Sequence, residues 1–437
     1  MSSKENLILL FDRWIIQNLY VSLQSKIYKQ NEMKKIFILI AVSLPIILVT
    51  ISCSNKNNTN NDSTQADSLK NEQSELVDNN EIEDPIVIIN DDGTTNGNHV
   101  YVTKDENSFY LDYVGYEIVQ SHIDVKAYDL AAIEGDVKIG SKIKRNNNTY
   151  DVLRIGENAF YGCQRITSVS IPSSVRIILE SAFEWCPNLS SVKLSNGLKS
   201  IGKKAFSRCE KLTSIIIPSS VDNIGENAFG STRSLESIIV ENSNEIYDSR
   251  NNCNAIIETA SNTLIQGCKS TVIPDNVVKI GPGAFRFCKD LTSMVIPNSV
   301  VSIGHGAFDN CQELNSLKIS NSVKEIGYMA FSGCSKLESI TIPDKVSKIE
   351  DRTFSGCTNL TTVKLGSSID YLGEEIFEGC PNLSKIIISA TTPPSLAYAT
   401  FNKMEVEPYD VEIHVPMDAV EQYDNARGWK AFTIVGY

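Results

Sequence analysis

Histidine is scarce in this chain: His99, His122, His305 and His414 are the only four among 437 residues. None lies near a sequence pattern for a nucleophile or a metal. The eleven cysteines include no C-x-x-C pair with a neighbouring histidine, which removes the usual zinc arrangement. Basic charge is short as well. Forty Lys and Arg stand against 53 Asp and Glu, a formal net charge of −13, and no basic stripe is present for nucleic acid. The apolar run over 36–51 has 16 residues, below the roughly 20 a membrane helix needs. Catalysis, a metal and a cofactor are therefore not expected.

What the chain has in abundance is repetition. Phe160, Phe183, Phe206 and Phe229 stand 23 residues apart, and Phe285, Phe308, Phe331, Phe354 and Phe377 resume the spacing. A Cys follows three residues after eight of these nine, from Cys163 to Cys380; Thr232 breaks the row. A fixed period with leucines at fixed offsets marks a leucine-rich solenoid. The expected fold is α/β, a curved right-handed stack of strand–turn–short helix units with a parallel sheet on one face. In the unit 212–234, Leu212, Ile215 and Ile217 form the inward face of a strand that Pro218 ends. After Gly225 a brief turn of helix sets Ala228 and Phe229 on the core. Glycine recurs at that place (Gly156, Gly202, Gly225, Gly281, Gly304, Gly327, Gly373), but Leu179 and Glu350 also occupy it. Close packing, not a left-handed backbone, is the expected reason.

The repeat thiols admit three roles: metal array, disulfide framework or stack of small buried side chains. Their spacing is wrong for metal, and equivalent positions on stacked parallel segments meet disulfide geometry poorly. Buried packing is the expected role. Cys253 and Cys268 stand apart, in an insertion over about 241–268, where a local disulfide is open in an oxidising compartment. Two strands are expected there, with Ser261 and Asn262 near the turn between them.

The front of the chain has a different character. Residues 33–53 run from two lysines through the apolar stretch to Cys53, the order of an export signal. The terminal cysteine makes it look like a bacterial lipoprotein signal in which Cys53 is acylated. Residues 1–32 precede the natural start of such a signal, Met33, and read as a mis-assigned extension. Between positions 54 and 112, 13 acidic residues face 3 lysines, a local balance of −10. The composition of 54–99 reads as a flexible acidic tether, the Asn- and Asp-rich 90–98 included, since it lacks the ligand spacing of a calcium loop.

With that signal, units of the form IGxxAFxxCxxLxSVxIPxSV resemble the BspA-like leucine-rich repeat proteins of Bacteroides and relatives. The resemblance spans about 100–437. It implies an N-terminal capping region over 100–152, repeats over 153–389 and a C-terminal cap over 390–437, with Trp429 and Phe432 covering the last repeat. It also implies binding at the bacterial envelope, since several relatives are described as adhesins. Localisation would be an outer-membrane lipoprotein held by a lipid anchor. The cell surface and a periplasm-facing display are both open, because Ser54-Asn-Lys-Asn-Asn58 lacks the acidic cluster common in surface export.

Two outward rows of the strands are candidate sites. One row is serine (Ser168, Ser191, Ser214, Ser237, Ser293, Ser316, Ser339). Seven equivalent serines cannot each have a catalytic base, so a hydrogen-bonded ladder across strands is expected. The central row carries Ser170, Lys193, Ile216, Ile239, Val295, Lys318, Thr341, Lys364 and Ile387. Lys193, Ile216, Ile239, Val295, Lys318, Thr341 and Lys364 are the expected binding face for a protein or glycan, with Ile216, Ile239 and Val295 as an apolar patch. Trp185 and Phe287, each two residues past a repeat Phe, are alternatives on the edge. A structural or assembly role facing the periplasm is the competing reading.

Overall fold

The computed structural model describes residues 87–93 and 133–437 except 146, together with short strands between Val77 and Ala127. The extension over 1–32, the signal over 33–53 with its Cys53, and most of the tether lie outside the described residues. Within the stretch read as tether, however, residues 87–93 are folded. Val87–Ile89 pairs antiparallel with Lys142–Arg145. Ile88 is fully buried, and the Asp91 carboxylate accepts from Ser173 N (2.9 Å) and Oγ (3.0 Å).

The repeats coil into a solenoid with three edges. The first edge is a series of short parallel sheets: Glu134–Lys138, Arg165–Ser170 and Ser191–Lys193 pair in one, Ser214–Ile217 with Ser237–Val240 in the next. The expected inward residues Leu212, Ile215 and Ile217 are buried. Residues 135–139, within the expected N-terminal capping region, overlap the strand Glu134–Lys138, whose parallel pairing with Arg165–Ser170 shifts register once, between Ile166 and Ser168. The second edge is a ladder of two-residue strands such as Ile177–Ile178, Ser200–Ile201 and Asn223–Ile224.

The third edge carries the phenylalanines, and here the expected helical turn gives way to something flatter. Two residues before and two after each of the nine Phe the backbone is left-handed, with φ from 51° at Glu375 to 73° at Gly162. Helix cannot form through such residues. Instead the peptide groups on either side of Phe turn their N–H groups toward the following unit. Phe160 N donates to Ala182 O, Phe183 N to Ala205 O and Phe206 N to Ala228 O, each at 2.7 Å. Asn158 N donates to Glu180 O and Gly162 N to Glu184 O in the same sense. Because the N–H of one residue and the C=O before it share a peptide, these bonds link peptide to peptide along the stack.

The glycines four residues before Phe serve close approach. A Cβ at Gly225 would lie 2.4 Å from Lys203 N, and one at Gly304 would lie 2.7 Å from Pro282 N. Neither has a positive φ.

This geometry lets the phenyl rings lie flat on one another. From Phe160 to Phe229 successive centroids are 4.8, 5.2 and 5.6 Å apart and the planes agree within 4°. From Phe285 a second column runs on to Phe401, a tenth member at 6.4 Å from Phe377. Each such pair adds about 0.5–1.5 kcal/mol beyond area burial. The cysteines fill the space behind. Cys186 Sγ donates to Phe160 O (3.0 Å), Cys311 to Phe285 O (3.1 Å) and Cys357 to Phe331 O (3.2 Å). Burial pushes the Cys163, Cys288 and Cys380 thiols up to about 12, so they remain protonated at neutral pH and lack the thiolate that reacts or binds metal.

The insertion enlarges one unit. Tyr247–Asp248, Ala255–Glu258 and Thr263–Gly267 form an antiparallel run, and the last pairs parallel with Lys279–Ile280 to rejoin the second edge. Gly267 takes the place of Phe: its N–H donates to Ala284 O (2.8 Å), and a Cβ on it would lie 2.2 Å from the Phe285 ring. The core divides at this seam into two clusters, one ending with Phe229, Ile256 and Cys268, the other beginning with Cys253, Ala255 and Ile257. Side chains bind the preceding unit where strands do not. Asn244 Nδ2 donates to Pro218 O and Val221 O, Tyr247 Oη accepts from Ile224 N, and Ser270 Oγ donates to Glu236 O.

At the far end Glu412–Val415 and Thr433–Gly436 extend the first edge, and a single turn-and-a-half of helix, Val420–Asn425, crosses it. Trp429 is buried, meets Phe401 edge-on at 5.6 Å and donates Nε1–H to Pro394 O (3.1 Å).

Replacing Phe308 with Ala should cost about 3–5 kcal/mol in equilibrium urea denaturation. Gly356→Ala should cost about 1–2 kcal/mol through its φ of 72° alone, since no atom lies within 3.5 Å of the added Cβ; an unchanged midpoint would remove the left-handed requirement. The ten cysteines of the described residues should resist a thiol reagent in the native protein and react once it is unfolded, measured by thiol titration.

Candidate binding face

Register along the first edge brings the central outward row into line. Ser170 lies opposite Lys193, Ile216 opposite Ile239, Val295 opposite Lys318, and Thr341 opposite Lys364, which faces Ile387. Ile216 is 53% exposed, Ile239 48% and Val295 63%. β-Branched residues favour strands, and these three stay about half or more exposed among the described residues.

A fourth residue joins them. Val272 is 74% exposed, the most open of the four. Its segment Thr271-Val-Ile-Pro274 copies Met294-Val-Ile-Pro297 at the 23-residue spacing. On one side Ser270 and Lys269 reach Glu236 at the head of the strand bearing Ile239, the lysine at 2.6 Å. On the other, Asp275 lines a depression of about 370 Å³ together with Val295, Pro297 and Lys318. The row thus reads Ile216, Ile239, Val272, Val295 on consecutive turns, bracketed by Lys193 and Lys318. Sequence reasoning missed Val272 because the insertion displaced it from the Phe count; the repeated Val-Ile-Pro was the available signal.

The serine row behaves differently from expectation. Ser168 Oγ donates to Asp136 Oδ1 (2.7 Å), but the hydroxyl ladder runs one residue earlier. Ser190 Oγ donates to Thr167 O, Thr361 Oγ1 to Glu338 O and Ser384 Oγ to Thr361 O, each to the preceding turn. These bonds tie turns together, and the carboxylate beside Ser168 is held by that hydroxyl and by Thr167 Oγ1 (3.2 Å). His305 is exposed and its Nδ1 accepts from Tyr328 N (3.2 Å). Cys253 and Cys268 are both buried free thiols, the first directed at Ala255 O (3.9 Å) and the second at Asn254 O (3.3 Å). Thr232, where the thiol row breaks, is buried and donates to its own Phe229 O (2.7 Å).

Charge on the flanks is arranged in cross-turn pairs: Lys199 with Asp222 (3.8 Å), Lys203 with Glu226 (3.5 Å) and Arg233 with Glu210 (3.2 Å). Exposed pairs of this kind add little stability. These pairs lie on the flanks; on the strand face itself the apolar row is bordered by the Lys193 and Lys318 cations.

The sequence model of a family described as "BspA type Leucine rich repeat region" matches residues 140–257 and 265–405 in six copies, more than half the chain. The gap between the two matches falls inside the hairpin of the insertion. Among solved structures the chain is similar to the pneumococcal vaccine antigen PcpA at 17% identity, over 76% of this chain and 98% of that one, with a TM-score of 0.56. It is also similar to a leucine-rich cell surface protein from Faecalibacterium prausnitzii (25% identity, 65% of this chain and 95% of that one, TM-score 0.42). A leucine-rich repeat protein from Bacteroides ovatus matches at 23% identity over 75% of this chain and 99% of that one, with a TM-score of 0.33. No curated protein matches the chain.

Proposed function

The chain belongs to the BspA-type leucine-rich repeat family, and on that premise we propose an exported, lipid-anchored binding protein that holds a protein ligand on its open strand face. The observation that carries this reading is the row Ile216, Ile239, Val272 and Val295, exposed on consecutive turns and bracketed by lysines. Proteins built on leucine-rich repeats generally bind protein ligands. Burying a branched aliphatic side chain contributes about 1.5–3 kcal/mol, so a rigid row of four offers a strong contact with no folding cost on this side. Its mechanism is multivalent adhesion, in which no bond is made or broken.

Attachment through an acylated Cys53 accounts for the charge–apolar–small order of 33–53 and places the solenoid beyond the acidic stretch that follows. Display at the outer-membrane surface suits an adhesin. A periplasmic assembly role is favoured by one feature, the lack of acidic residues in Ser54-Asn-Lys-Asn-Asn58. Protease treatment of intact cells separates the two: a surface protein is shaved, a periplasmic one is protected.

Ile239→Asp and Val272→Asp should leave the fold unchanged, because surface substitutions shift stability by only about 0.5 kcal/mol. Each should weaken capture on immobilised extracellular-matrix proteins by about tenfold or more, measured by biolayer interferometry, since a charge replaces an aliphatic contact. Capture that survives both substitutions would move the site off the strand face.

A further inference from the structure

A second site lies away from the apolar row, at the corner where the Phe edge turns into the strand face. There an open groove of about 560 Å³ is lined by Glu134, Arg165, Thr167, Asn188, Ser190 and Lys211, with Gln164 beside them. The lining has a period. Arg165, Asn188 and Lys211 occupy the same place on three successive turns, and Thr167 and Ser190 do so on two. Successive rungs of such a stack advance by about 4.8 Å, comparable to the advance of one pyranose ring along an extended polysaccharide.

The groups themselves are those that meet sugar hydroxyls. Arg165 and Glu134 form an ion pair across two turns, and Asn188 Nδ2 donates to Gln164 O (2.6 Å), which holds the Asn188 amide in place. Lys211 is exposed, and no carboxylate pairs with it among the described residues.

An aromatic pair stands at the rim. Tyr161 and Trp185 meet edge-on at 6.3 Å, both about two-fifths exposed. The Gln164 amide, donating to Gly162 O (3.0 Å) and Trp185 O (3.5 Å), joins them to the groove. Trp185 is the telling residue. The fold demands a left-handed backbone at its position on every turn, and four of the nine turns meet that demand with glycine (Gly162, Gly333, Gly356, Gly379). Trp185 accepts a φ of 63°, costly for a bulky side chain, yet stays two-fifths exposed. Arg208, Ser231, Phe287 and Asn310 accept the same backbone, so what singles out Trp185 is an aromatic residue at that exposure beside Tyr161.

We propose that this groove binds an extended glycan, with the Tyr161–Trp185 pair stacking on a sugar ring and Asn188, Arg165 and Lys211 bonding its hydroxyls along consecutive turns. The site is independent of the strand-face row.

The test is isothermal titration of the full chain with hexasaccharides of β-1,4-linked glucose, β-1,4-linked N-acetylglucosamine and α-1,4-linked galacturonate. At least one should bind with a micromolar to millimolar constant. Trp185→Gly suits the left-handed backbone, so thermal stability should hold or rise while binding falls about tenfold or more. Asn188→Ala and Lys211→Ala should each weaken binding severalfold, and Ile239→Asp should not change it. The proposal is overturned if none of the three hexasaccharides binds, or if binding survives Trp185→Gly and Asn188→Ala. A protein ligand lost on Trp185→Gly without any saccharide binding would overturn it too.

Discussion

Flat stacking of phenyl rings is the constraint to which the rest of the solenoid answers. For each Phe to lie on the next, within 4° in the first column and within 19° in the second, the backbone carrying it must repeat with little rotation from turn to turn. Left-handed residues two places before and two after Phe flatten that segment so that its peptides face the neighbouring turn. The thiol behind the ring is the complement of this arrangement. It is small enough to fit, apolar enough to be buried, and able to donate to the Phe carbonyl of the turn before. Where the row changes, the same carbonyl need is met otherwise, as when Thr232 donates to its own Phe229 O.

Regularity leaves the outer surface free. Inward positions, glycine approaches and turn residues are committed to the stack, whereas the outward strand row can vary from Lys193 to Ile216 to Thr341 at no cost to it. Two distinct surfaces use this freedom. The strand face gathers branched aliphatics around the seam, and the corner groove gathers amides, hydroxyls and an aromatic pair on the earlier turns. The first suits a surface that loses water on contact. The second suits a ligand that keeps its hydrogen bonds.

Much of this was legible from residue spacing. Inward strand residues, the Phe and Cys rows and the outward register follow from period and alternation, whereas the cap residues Trp429 and Phe432 came from the family resemblance. The left-handed positions were hidden because Trp, Arg, Met and Glu share those columns with Gly and Asn, so no single residue type marks them. Substitution of Gly267 for a ring was hidden because its position is defined by the bond to Ala284 and not by sequence spacing. Val87–Ile89 was hidden by acidic and amide neighbours, since the four apolar residues of 86–89 form too short a run to stand out. In each case a contact between distant turns decided the matter.

The strings of peptide bonds along the Phe edge have a further consequence. Their N–H groups all point toward the C-terminal turns, so their dipoles add head to tail as they do in an α-helix. Neighbouring bonds in such a string polarise one another. The Phe edge therefore carries an electrical polarity along the axis, positive toward the later turns, while bonds on the second edge such as Gly202 N to Ile178 O and Gly225 N to Ile201 O point the other way. At the seam the insertion interrupts these strings and divides one long dipole into two shorter ones.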